Sequence, residues 1–93
     1  MAIEIKGEGG ESILFDGASV AKFRHDGKEE VARNPVGTFR EVRVKPKKTK
    51  GGQEQRYDVL LACSTIFSLT IGESEKPKLD ALVVELERLA AGS

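Results

Sequence analysis

The chain has 93 residues, enough for one domain with a modest core. Fifteen basic and fifteen acidic side chains cancel, so no overall charge draws the molecule to nucleic acid or membrane. Apolar residues make up 39% and there is no tryptophan, so the core has to be built from Val, Ile, Leu and four Phe.

Cys63 is the only cysteine, which excludes an intrachain disulfide. It lies in the apolar run VLLACSTIF and reads as a small buried core residue, in keeping with a reducing cytoplasm. The N-terminus, MAIEIKGEGGES, lacks the basic and apolar regions of a signal peptide. No apolar run approaches the roughly 18 residues that would suggest a membrane span.

Turn signals punctuate the chain as far as residue 72: GEGG at 7–10, DG at 16–17 and 26–27, NPVG at 34–37 and KGG at 50–52. Asp-Gly between apolar runs marks hairpins, because a type I′ turn needs positive φ at both central residues. Strands are therefore expected near 2–6, 11–16, 18–24 and 29–34. Residues 1–10 form the segment where flexibility is to be checked. In 39–46, FREVRVKP, Val42 and Val44 alternate with Arg43 and Lys45, giving one dry and one wet face. Pro46 cannot donate to a ladder, so that strand ends there or lies on an edge. The run 56–64, RYDVLLACS, is apolar on both faces and reads as a central strand covered on both sides. In 65–72, Phe67, Leu69 and Ile71 point inward, with Ser68 and Thr70 outward.

After Gly72 the period changes. Leu79, Leu82, Val83, Leu86, Leu89 and Ala90 recur at helical spacing and predict an amphipathic helix over about 75–91. Ser74 is the expected cap, Pro77 is tolerated in the first turn, Glu75 suits the positive end of the dipole, and Gly92 is the expected terminator. Ala81 and Val84 lie beside the main stripe and widen the apolar face. The predicted fold is α+β and mostly antiparallel β: a meander of six or seven strands. A meander of that length should curl into a partial barrel or two orthogonal sheets, with the helix packed over the open end.

The stretches SILFDGASVAKFR, EEVARNPVGTFREVRV, YDVLLAC, IFSLTIG and KLDALVVELERL, in that order, resemble the bacterial small-domain version of the pleckstrin-homology-like superfold. The likeness runs from about residue 11 to 91 and rests on periods and turns. It implies a non-enzymatic binding or assembly module. Phosphoinositide-binding members carry a basic cluster between their first two strands. The corresponding loop here, GEGG or DGAS, is not basic.

Charge is unevenly spread. Residues 40–56 hold seven basic and two acidic side chains, a surplus of five that the rest of the chain offsets. Lys45, Lys47, Lys48, Lys50 and Arg56 are thus the candidate contacts for an anion or a partner. No aromatic is interleaved with the lysines to stack on bases; Tyr57 starts the next strand.

Other chemistry finds little footing. His25 is the only histidine: a zinc site would need further ligands, and Ser64 and Thr65, the hydroxyls beside Cys63, have no glycine-flanked elbow. Ser64 and Thr65 read as a tight turn. Glu4, Glu8 and Glu11 lack calcium-loop spacing and read as solvated surface. GEGG is not a phosphate-binding glycine motif. No catalytic, cofactor-binding or metal-binding residues are expected. The sequence points to a module acting through protein contacts, with self-association as one form. The competing function is an anion-binding module using 45–56 on nucleic acid or acidic lipid.

Overall fold

The computed structural model describes residues 2–48, 51–52 and 54–91. Seven strands run in chain order: β1 (Ile3–Lys6), β2 (Ser12–Phe15), β3 (Ser19–Arg24), β4 (Glu29–Pro35), β5 (Glu41–Lys47), β6 (Arg56–Ala62) and β7 (Ile66–Gly72). The helix α1 (Lys76–Ala91) closes the chain. The strands form two antiparallel meanders, β1-β2-β3-β4 and β5-β6-β7, which do not close into a barrel. The expected α+β partial barrel with a C-terminal helix is what the chain adopts.

The two Asp-Gly pairs turn the chain by different means. At 26–27 both residues have positive φ, 58° for Asp26 and 87° for Gly27, as a type I′ turn requires. The Lys28 amide closes that turn on the His25 carbonyl at 3.2 Å. At 16–17 only Gly17 is left-handed. There the Asp16 carboxylate builds the turn, accepting the amides of Ala18 at 2.9 Å and Ser19 at 2.7 Å. Those amides, with the Ser19 hydroxyl and Arg33, hold the Asp16 carboxyl down at about 2. A carboxylate with a depressed folded pKa contributes stability that is full above its unfolded value and is lost as pH falls through the folded one. The Ala18 and Ser19 amide shifts are accordingly expected to titrate together with a midpoint of about 2. Asp16→Asn should remove that titration and flatten the stability profile below about pH 4. A midpoint in the ordinary aspartate range would contradict this geometry.

One core joins both sheets and the helix. Ile5, Ile13, Phe15 and Val20 meet Leu61, Phe67, Leu69 and Ile71, and α1 adds Leu79, Leu82 and Leu86. Residues 3–6 are therefore anchored: Ile3 and Ile5 are buried, and β1 pairs with β2. Gly7 follows β1 and lies directly against Leu69 and Thr70 of β7.

The start of α1 differs from expectation. Glu73–Glu75 is a 3-10 turn, and Ser74 acts as a donor, its amide giving a 3.0 Å hydrogen bond to Glu54. The distant loop residue Glu54 thus adds an acid at the positive end of the helix, where Glu73 and Glu75 also stand. Glu75 also accepts the Lys6 amide at 2.8 Å, which, assisted by Lys78, holds its carboxyl below the usual value. Gly92, the expected terminator, lies outside the described residues.

A buried polar link spans the two sheets. Asn34, 3% exposed, donates to Thr65 Oγ1 at 2.7 Å and accepts from Ser64 Oγ at 2.6 Å. On another side, Lys22 of β3 donates to the Ser68 carbonyl of β7 at 2.8 Å. Two of the four edge strands, β4 and β5, are blunted. The β3–β4 register shifts between Lys22 and Phe23, leaving Val31 as an extra residue in β4, while β5 carries Pro46 and lysines.

Candidate interaction face

The alternation of β5 decides where the basic residues go. Val42 packs against the core, and the period of two turns Arg43, Lys45 and Lys47 to the outer face of the β5-β6-β7 sheet. Register sets their neighbours: Arg43 lies beside Leu60 and Ser68, Lys45 beside Asp58 and Thr70, and Lys47 beside Arg56 and Gly72. A further rung of the same face holds Glu41, Ala62 and Ile66.

This placement corrects the reading of 56–64 as a strand covered on both sides. β6 is central, with Val59 and Leu61 buried inward, but Leu60 is half-buried on the outer face. β7 behaves as expected, with Phe67, Leu69 and Ile71 buried; its first residue, Ile66, is 66% exposed. A shallow concavity of about 430 Å³ lies over the sheet, lined by Arg43, Val44, Lys45, Asp58, Val59, Leu60 and Ser68. Leu60 is the aliphatic side chain of the lining that faces outward, and the β5 rim is basic. The one acid in the lining, Asp58, accepts a 2.9 Å hydrogen bond from Thr70.

The five candidate residues do not act as one cluster. Lys45 and Lys47 lie on the outer face, and Lys48 follows at the strand end. Among the described residues, no carboxylate stands within ion-pair distance of these three. Arg56 is engaged with Glu8 at 2.7 Å and ties the base of the loop to the 3-10 turn Glu8–Gly10. Lys50 lies outside the described residues. Arg43, Leu60 and Ile66 join the face without having been candidates. Arg43 was visible in the alternation, whereas Leu60 emerges only when β6 is read with the same period of two.

Tyr57 packs against the core, and its ring lies 5.6 Å from Lys76 Nζ. His25 sits in the exposed type I′ turn with Nε2 3.2 Å from Glu29. Burial pushes the Cys63 thiol up, against the pull of a Thr38 hydrogen bond. Ser64 and Thr65 form the β6–β7 turn, where the Cys63 amide donates to the Thr65 carbonyl at 2.9 Å. Among the described residues, no group of three or more His, Cys, Asp or Glu could hold a metal ion, and no helix is long and apolar enough to cross a membrane. No family model, curated protein or solved structure matches the chain.

Proposed function

We propose that the chain is a non-enzymatic binding or assembly module of the cytoplasm, acting through protein contacts on the outer face of its C-terminal sheet. One observation carries this reading: basic and aliphatic side chains stand side by side on one sheet face, Arg43 beside Leu60 and Lys45 in the next rung. Such a mixture suits protein contacts, in which apolar area supplies affinity and charge selects the partner. The other noticeable polar groups are committed to the fold: Asn34, Ser64 and Thr65 to each other, and Arg56 to Glu8. The arrangement of two sheets and a terminal helix supports the resemblance to bacterial pleckstrin-homology-like small domains, whose character is binding or assembly. Self-association through strand edges is the weaker form, because two of the four edge strands, β4 and β5, are blunted.

A second reading keeps one supporting observation: Lys45, Lys47 and Lys48 are exposed and lack an acidic partner among the described residues. That leaves them available to phosphate on nucleic acid or acidic lipid. An amide shift map separates the two readings, recorded at two protein concentrations and then with an oligonucleotide and anionic lipid head groups at low and moderate salt. The protein-contact reading expects no polyanion response. Shifts confined to 45–56 that fade as salt rises would replace it with anion binding. In either case Lys47→Glu with Lys48→Glu is expected to change stability by no more than about 0.5 kcal/mol, since both side chains are exposed. A large drop in melting temperature would show that these lysines support the fold.

A further inference from the structure

We infer that the concavity over β5, β6 and β7 is a docking site for an acidic peptide segment of a partner protein, one aliphatic side chain of which seats on Leu60. The inference rests on the protein-contact reading and names its partner chemistry.

Three observations lead to this occupant. First, the floor offers one aliphatic side chain: Leu60 of β6 is half-buried on the outer face, between Arg43 and Ser68. Burying an apolar side chain there removes carbon from water on both partners. Second, the charge around the floor is predominantly basic. Arg43 and Lys45 border it and Lys47 continues the row, against one acid in the lining, Asp58, which lies across from Lys45 and accepts the Thr70 hydroxyl. The remaining acid nearby, Glu41, pairs with Arg43 at 3.2 Å, but both side chains are well exposed, so a carboxylate from a partner can replace it at little cost. Third, the spacing is that of a strand. Alternate β5 residues point the same way, so acids spaced along an extended segment meet Arg43, Lys45 and Lys47 in turn.

Other occupants fit less well. A nucleic acid strand would find no aromatic on this face, since Tyr57 packs inward. The same face of a second copy would set Arg43 and Lys45 against like charges.

The test is an amide shift titration of the full chain with a capped peptide alternating Glu and Leu. Parallel titrations use a peptide with Ala replacing Leu, one with Lys replacing Glu, and an oligothymidylate. The expected result is saturable shifts centred on Arg43, Lys45, Leu60 and Ser68 with the Glu-Leu peptide, about tenfold weaker with Glu-Ala and absent with Lys-Leu. Leu60→Glu should abolish them while the spectrum stays dispersed. Arg43→Glu with Lys45→Glu should do the same and reverse the preference toward the Lys-Leu peptide.

No shifts at these amides would overturn the inference. Shifts centred on α1 or β4 would overturn it and move the contacts off this sheet face, while leaving the chain a protein-binding module. Concentration-dependent shifts here without peptide would assign the face to a second copy, overturning the peptide while sparing assembly. An oligothymidylate response equal to the peptide's would overturn both.

Discussion

Leu86→Ala is expected to cost about 2–5 kcal/mol of folding stability, the range for a fully buried leucine whose cavity only partly collapses. Leu86 is 0% exposed and belongs to the cluster that joins the helix to both sheets. A domain of this size has about 5–15 kcal/mol in total, so this one change removes a large share. Chemical denaturation is the measurement, with the midpoint falling and the slope unchanged. Val84→Ala on the same helix is the control. Val84 is 62% exposed, and its loss should stay within about 0.5 kcal/mol. Equal losses at the two positions would mean that the helix does not present the stripe described.

Gly7→Ala is expected to destabilise by about 1–3 kcal/mol, although it adds only one methyl group. The backbone at Gly7 is ordinary extended chain, so conformation is not the reason. Space is the reason. A Cβ would press on the buried Leu69 side chain and would stand 2.9 Å from the Thr70 carbonyl oxygen. A leucine in an open site yields by a rotamer change, but Leu69 is 4% exposed, and the carbonyl oxygen belongs to strand β7. Gly37→Ala is the matched control, since nothing lies within 4 Å of the added atom. Thermal melts of the pair should separate clearly; coincident melts would contradict the close approach of the N-terminal segment to β7.

Local signals carried most of the architecture. Turn residues and a period of two located all seven strands, and the change of period after Gly72 located the helix. What stayed hidden depended on residues far apart in sequence. GEGG offered no sign that Gly7 is squeezed against β7. Glu54, in a charged loop, gave no hint that it caps a helix beginning beyond residue 72. Asn34 looked like a turn residue beside Pro35, yet it is the buried link between the sheets. The candidate interaction face was half legible for the same reason. The basic surplus and the wet side of β5 could be counted, but their meeting with Leu60 depends on the register between β5 and β6.

The order of the strands has a kinetic consequence. Every strand in each sheet is hydrogen-bonded to its neighbours in the chain, and no ladder crosses between sheets. Each meander can zip outward from its own turns without waiting for a distant partner, so little loop-closure entropy is incurred early. Docking one finished half on the other, with the helix over both, then comes late. On that route Leu86→Ala would leave the folding rate nearly unchanged and appear almost wholly as faster unfolding, a partition stopped-flow measurements can read. A slowed folding limb would instead place the helix in the nucleus. With the helix last, the protein's lifetime against opening is governed by one end of the chain, while the proposed interaction face belongs to a sheet that assembles before it.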